Sequence, residues 1–299
     1  MLRGETRDVE SAGLSLWTER FGEPGDPVVL LVMGTATQSI GWPDDLVRAL
    51  TGAGRQVLRF DHRDTGRSDS VDFGTDPYTL DDMAADCVAV LDGWDVGAAH
   101  VVGASLGGAL GQLLAVHRPE RVRTLTTIMT SLMSFNPAPV WERALAGQAP
   151  DPDQLPPPTP EFLEMAMRMR SGPPEADADL AAVRLLHGDG LPFDEQAARA
   201  NVELARDRAR DPDKAGQHDL AGREMTEARQ ASLDAVTAPA LVVHGTHDPL
   251  YQPAHAEALA GAIPGARLHI EQGMGHGFFA PGLPRRIGEL IAAHTGGAA

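Results

Sequence analysis

Ser105 stands in the pentapeptide Gly103-Ala104-Ser105-Leu106-Gly107, between an apolar run that reads as a buried strand and an Ala- and Leu-rich run that reads as a helix. A serine on so tight a turn takes a strained backbone that lifts its oxygen clear of the sheet. The glycines two residues to either side remove side chains that would collide there. The free N–H groups at the start of the following helix face any oxyanion that develops at the serine, with the amide of Leu106 best placed. The chemistry this implies is nucleophilic attack on a carbonyl carbon. A serine hydroxyl needs a base for that step, and the base needs an acid to orient it.

A serine on a strand–helix turn of this kind takes its acid and then its histidine from later in the chain. Eleven histidines compete for the role of base. His62 lies in a polar loop, while His100 and His269 fall within strands and read as structural. His117, His187, His218 and His294 fall in helices or exposed loops, where a solvated role is the default. His276 differs: in Gly273-Met274-Gly275-His276-Gly277 it follows the last apolar strand on a flexible loop able to reach across the strand ends. Asp248, in His244-Gly245-Thr246-His247-Asp248-Pro249, follows another buried strand and leaves room for one helix and one strand before His276. An acid placed there would fix the histidine tautomer. After the preceding core strand the first acidic residue is Glu142, well inside another segment, so Asp248 is preferred; His247 is a decoy or a pocket residue on the acid's own turn. The second oxyanion donor is expected from the loop after Val28–Met33, where Gly34 and Thr35 stand, with the Thr35 amide as first choice.

The elements that must position these residues alternate. Val28–Met33, Gln56–Phe60, His100–Val102 and Arg123–Met129 read as strands, with helices near Asp44–Leu50, Thr79–Leu91 and Ser105–His117 between them. Near-continuous apolar strands separated by helices predict an α/β fold with a mostly parallel sheet covered on both faces. Val9–Phe21 reads as an antiparallel hairpin at its edge. The rhythm breaks between about Phe135 and Arg229, which holds about half of the 23 prolines and follows a helical period. There Thr159 caps a helix that starts at Pro160, with Phe162, Met165, Ala166 and Met169 on one face. Strands return at Ala240–His244 and Arg267–Ile270, and a last helix runs from about Arg285 to His294. The expected organisation is a core of residues 1–134 and 230–299 with a helical cap, 135–229, inserted in it.

Composition narrows the partners. The chain has 299 residues, a net charge of −17, and a single lysine, Lys214, among its 25 cationic residues. So acidic a protein has no electrostatic footprint for nucleic acid, and an anionic membrane surface would repel it. No run reaches the roughly 18 apolar residues of a membrane span, and the N-terminus lacks an apolar signal core, so a cytoplasmic protein is expected. Cys87, the one cysteine, sits on the apolar side of a helical pattern and reads as core. No His-x-x-x-His or His-Glu-x-x-His helix is present, so neither a metal nor another cofactor is expected.

The segment Asp61-His62-Arg63-Asp64-Thr65-Gly66-Arg67-Ser68 lacks the lysine and glycine spacing of a phosphate loop. A structural role for Asp61 and Arg63, pinning loops near the active-site rim, is the better reading. Together with the Ser105, Asp248 and His276 motifs, this segment resembles the α/β-hydrolase superfamily across most of the chain outside the insertion. A narrower resemblance is to the aclacinomycin methylesterase family of serine esterases, which remove a methyl ester from anthracycline polyketides. It rests on Leu31-Val32-Met33-Gly34, Gly41-Trp42-Pro43-Asp44, Asp61–Ser68, Val90-Leu91-Asp92-Gly93-Trp94 and Gly273-Met274-Gly275-His276. Asp64 points the same way, because many hydrolases of the superfamily carry glycine there. The chain departs from that family at Leu106, where methionine is the family's residue, and at Thr35-Ala36-Thr37, which replaces a second glycine. The insertion carries little of the resemblance.

The expected activity is therefore hydrolysis of a carboxylic ester through an acyl-enzyme. Ser105 attacks, His276 relays the proton, Asp248 orients His276, and the amides of Leu106 and Thr35 hold the oxyanion. The substrate is expected to be a small hydrophobic ester. Met133, Phe135, Met165, Met167, Met169, Trp42, Phe278 and Phe279 are candidates either for an apolar pocket or for lid and core packing. Lactonases, C–C bond hydrolases, perhydrolases and peptidases use the same triad, and a non-catalytic receptor of this fold is the alternative of another class.

Overall fold

A computed structural model describes residues 2–152, 154–171 and 177–297; the side chains of 169–171 lie outside that description. Eight strands form one sheet in the order β1-β2-β4-β3-β5-β6-β7-β8. The edge hairpin, β1 (Glu5–Ser11) and β2 (Leu14–Phe21), turns through Ala12 and Gly13, both at positive φ, as a two-residue hairpin turn requires. β2 runs antiparallel to β4 (Gln56–Phe60). From there to the far edge every pairing is parallel, through β3 (Val28–Val32), β5 (Ala99–Ala104), β6 (Val122–Ile128), β7 (Ala240–Gly245) and β8 (Arg267–Glu271).

The strands are apolar throughout because both faces are covered. In β3, Leu30 and Val32 join the core on one face while Val29 and Leu31 join the core on the other. Helices α2 (Leu80–Gly93), α3 (Leu106–His117) and α9 (Pro253–Ala262) cover the first face; α1 (Asp44–Gly52) and α10 (Leu283–Gly296) cover the second. The start of α2 is written locally: Thr79 and Asp82 form a reciprocal capping box. On the same helix Met83, Cys87 and Leu91 are fully buried, and burial pushes the Cys87 thiol pKa up. Cys87 is thus the core residue that its helical pattern predicts.

Between β6 and β7 the chain leaves the sheet and forms α4 (Pro137–Leu145), α5 (Pro160–Ser171), α6 (Ala178–His187), α7 (Glu195–Arg208) and α8 (Gln217–Ala221). α5 starts at Pro160 as expected, with Thr159 Oγ1 accepting from the Phe162 amide at 3.4 Å. Its buried residue is Leu163; Phe162, Met165 and Ala166 are half-buried, Met167 is exposed, and the side chain of Met169 lies outside the described residues. Among the described residues no helix is long and apolar enough to cross a membrane.

Candidate active site

Because β3, β5, β7 and β8 are parallel, the loops that leave their carboxyl ends share one side of the sheet. Gly34, Ser105, Asp248 and His276 stand on those loops.

Ser105 sits between β5 and α3 at φ 52° and ψ −120°, a conformation that side chains rarely adopt. The surroundings hold it there: its amide donates to the Ile128 carbonyl at 2.9 Å, and its own carbonyl accepts from Thr130 Oγ1 at 2.7 Å. Side chains on the flanking glycines would destroy this turn. A Cβ on Gly103 would lie 2.0 Å from the Gly107 carbonyl oxygen, and one on Gly107 would lie 2.0 Å from the Val32 carbonyl oxygen. Gly34 lies against the serine itself, where a Cβ would come within 3.1 Å of Ser105 Cβ. The amides of Leu106 and Thr35 have no hydrogen-bond acceptor among the described residues, as donors reserved for a ligand would.

Asp248 and His276 meet: Asp248 Oδ2 lies 2.7 Å from His276 Nδ1. The second carboxylate oxygen accepts from the amides of Leu250 and Tyr251 at 2.9 and 2.8 Å. Burial pushes the Asp248 pKa up, but the charge His276 carries when protonated and its hydrogen bond pull it down. With His244 and the Tyr251 amide they hold the carboxyl below its usual range. His276 is half-buried, its amide donates to the Leu186 carbonyl at the end of α6, and its ring packs edge-on against Tyr251 at 5.8 Å. A Cβ on Gly275 would strike the His187 carbonyl oxygen at 2.0 Å, so α6 closes directly on the histidine loop. No hydrogen bond joins Ser105 Oγ to His276 among the described residues; such contacts often tighten only when substrate is bound.

The Asp61–Ser68 segment pins loops, as its composition predicts. Asp61 accepts from the Ser39 amide and hydroxyl, the Arg67 amide and the Arg208 guanidinium. Arg63 makes a buried two-toothed pair with Asp86 at 2.7 and 2.8 Å. Asp64 takes the left-handed φ of 66° that glycine takes freely, and its carboxylate accepts from the Val71 amide, the Tyr78 hydroxyl and Gln217.

Several expectations about histidines are corrected, and the pocket candidates are sorted. His187, His218 and His294 are buried, not solvated, and His62 lies in a loop as expected but is fully buried there. His100 is structural as expected, bonded to Thr124, and His117 is exposed. His247 is also exposed, its Nδ1 bonded to Thr246. Trp42 packs on Phe278 at 5.4 Å within the core and Met133 is 1% exposed, so these three residues are packing. Phe135 instead meets His255 and Tyr251 edge to face. Tyr251 and His244, which sequence reasoning did not select, sit against the acid and the histidine. His244 Nε2 donates to the Tyr251 carbonyl at 2.6 Å and lies 3.5 Å from Asp248 Oδ2. Their place at the end of a buried strand and just beyond it, seven residues apart around Asp248, was the available signal.

The α/β hydrolase fold family model matches residues 27–283. The chain belongs to the α/β-hydrolase family. It is 41% identical over 293 residues, covering 96% of each chain, to the rhodomycin D methylesterase DnrP of Streptomyces peucetius. Identity to the rhodomycin D methylesterase DauP of Streptomyces sp. strain C5 is 40% over the same length. Among solved structures, a hydrolase from Pseudomonas aeruginosa PA01 superposes with a TM-score of 0.72 at 27% identity, covering 98% of this chain and 99% of that one. As an α/β-hydrolase the chain has the fold that its strand rhythm predicted, and the resemblance to anthracycline methylesterases is borne out by these relatives.

Proposed function

We propose that this α/β-hydrolase is a serine esterase that removes a methyl ester from a polycyclic aromatic polyketide. Ser105 is the nucleophile, His276 the base and then the acid, and Asp248 its orienting carboxylate. The observation that carries the reading is the 2.7 Å contact of Asp248 with His276 Nδ1, on the side of the sheet where Ser105 is held in a strained turn.

The carboxylate fixes the proton of neutral His276 on Nδ1 and leaves Nε2 free to accept. Ser105 Oγ attacks the ester carbonyl and passes its proton to Nε2, while the amides of Leu106 and Thr35 receive the oxyanion and Gly34 leaves room for it. Collapse of the intermediate breaks the carbon–oxygen bond, and the proton on Nε2 leaves with methanol. Water, deprotonated by the same nitrogen, then attacks the acyl-enzyme and frees the acid and Ser105. Every step uses the chain's own groups. Residues 135–229 act as a cap over a core of 1–134 and 230–299, and so carry the choice of substrate. The methyl ester of a polyketide is supported by the relatives that share 40–41% identity over nearly the whole chain.

Product analysis by mass spectrometry with an anthracycline methyl ester tests the reading, with a short-chain p-nitrophenyl ester alongside. Wild type is expected to release the free acid of the anthracycline, and Ser105→Ala to release none. Cleavage of the simple ester alone would keep the serine hydrolase and discard the polyketide.

A further inference from the structure

Two buried histidines outside the proposed triad close on the turn that carries Thr35. His62 donates from Nε2 to the Met33 carbonyl at 2.9 Å. His218, on α8 of the insertion, accepts the Ala36 amide at Nδ1, 3.0 Å away, and donates from Nε2 to the Arg63 carbonyl at 2.8 Å. The two rings meet edge to face, with centroids 5.7 Å apart at 90°. His62 is fully buried and His218 is 1% exposed.

The groups these histidines hold are the carbonyl just before Gly34-Thr35 and the amide just after it. Ala36 also sits at φ 55°, a conformation that a side chain keeps only where neighbours enforce it. Gly34, on the inner side of the turn, lies against Ser105. The Thr35 amide between them has no acceptor of its own among the described residues, so its direction is set by its two neighbours.

We propose that His62 and His218 are positioning residues that aim the Thr35 amide into the oxyanion hole, so that the insertion governs the reactivity of the core serine through His218. The inference rests on the serine-esterase reading above and assigns two residues to it. A carbonyl only accepts, so both rings carry a proton on Nε2, and the Ala36 amide donating to Nδ1 of His218 makes that ring neutral. Burial holds each pKa down to about 4, which keeps Nδ1 of His218 free to accept at neutral pH.

The two histidines ask for opposite replacements. An asparagine amide oxygen falls near the position of Nδ1 and a glutamine amide nitrogen near that of Nε2. His218→Asn therefore keeps the acceptor for Ala36, whereas His218→Gln keeps only the donor to Arg63. At His62 the donor to Met33 survives in His62→Gln and is lost in His62→Asn. Steady-state hydrolysis of p-nitrophenyl acetate and thermal melting are measured for all four variants and wild type. Loss of a whole oxyanion donor lowers kcat about 100- to 1,000-fold, so a misaimed one is expected to lower it by about tenfold or more in His218→Gln and His62→Asn, with KM little changed. His218→Asn and His62→Gln are expected to stay within about threefold of wild type.

Equal kcat in the Asn and Gln variants, or variants that melt lower but keep wild-type kcat, overturns the proposal, because a merely structural role predicts just that. Wild-type protein is also treated with a fluorophosphonate. If it hydrolyses the ester and is labelled at Ser105 but the crossed pattern is absent, the positioning role alone fails. If wild type is unreactive at Ser105, the esterase reading fails and the inference with it.

Discussion

Helix α3 in the core buries most of its twelve residues between strands and α2, whereas α7 in the insertion, fourteen residues long, buries Ala198 alone. Directed polar contacts instead fasten α7, and α8 in part, to the core. Asn201 donates to the Ile40 carbonyl, Gln38 to the Ala205 carbonyl, Arg208 to Gln38 and Asp61, and the Ala36 amide to His218. Alternate residues of one loop, Ala36, Gln38 and Ile40, are thereby each tied to α7 or α8. The core's shape follows from area removed from water, which is non-directional and tolerant. The placement of α7 leans on a few hydrogen bonds, each contributing about 1 kcal/mol, and those bonds land on the loop that leads out of the Thr35 turn. A region held this way can change its lining without disturbing the sheet, yet it touches both the Thr35 turn and, through α6, the His276 loop.

The sharpest way to break that comparison is to create the same steric overlap in each region. Gly107→Ala drives a Cβ to 2.0 Å from a backbone oxygen of β3, and the sheet cannot retreat. Its expected cost exceeds about 4 kcal/mol, read by urea unfolding as loss of most of the protein's stability. Gly275→Ala makes an equal overlap with the His187 carbonyl at the end of α6. Because α6 can shift, a cost of about 1–3 kcal/mol is expected, with turnover reduced far more than stability. Equal losses in the two variants would mean that the insertion is as rigid as the sheet.

Buried ion pairs give the next contrast. Arg63→Met strands Asp86, whose side chain is 0% exposed and keeps Ser11 as its hydrogen-bond partner among the described residues, at an expected cost of about 3–5 kcal/mol. Arg208→Met removes the insertion's cation from Asp61, but Asp61 keeps the Ser39 amide and hydroxyl and the Arg67 amide. About 1–3 kcal/mol is expected there. Chemical denaturation of the two variants checks the order.

Acidification acts gradually. Burial first, against the raising influence of Met33 and Asp61, lowers the His62 pKa to about 4. Burial and His62 lower that of His218 to about 4, against the Arg63 carbonyl, Asp64 and Asp219. The unfolded chain takes up protons as pH falls through about 6.5, the folded chain only near 4, so stability is whole above 6.5 and declines between 6.5 and 4. Each such histidine contributes a slope of about 1.4 kcal/mol per pH unit at most. The decline is expected to be shallower in His218→Asn, measured by unfolding at a series of pH values. An unchanged slope would mean that His218 is charged in the folded protein.

The same contrast explains what could be read in advance. The strand read at Val28–Met33 and the helix read at Thr79–Leu91 announced themselves by their apolar runs and period, and Ser105, Asp248 and His276 by their places at strand ends. Asp248 and His276 do meet, and Gly34 lies against Ser105. His218 gave no such signal. It lies in a five-residue helix of mixed composition, and its partners at Ala36 and Arg63 are more than 150 residues away in sequence. A long-range polar contact leaves no periodicity, so the groups that tie the insertion to the site became visible only with coordinates. His62 was hidden differently: a charged neighbourhood of Asp61, Arg63 and Asp64 reads as a polar loop, but those charges are met by Arg208, Asp86 and Tyr78.

The most direct test of the account is where an electrophile lands. Wild type, Ser105→Ala and His276→Ala are incubated with a fluorophosphonate and followed by intact mass and peptide mapping. One adduct per chain on Ser105 is expected for wild type, none for Ser105→Ala, and labelling slowed by about 100-fold or more for His276→Ala. An adduct on any other residue, or ester hydrolysis that persists in Ser105→Ala, would contradict it.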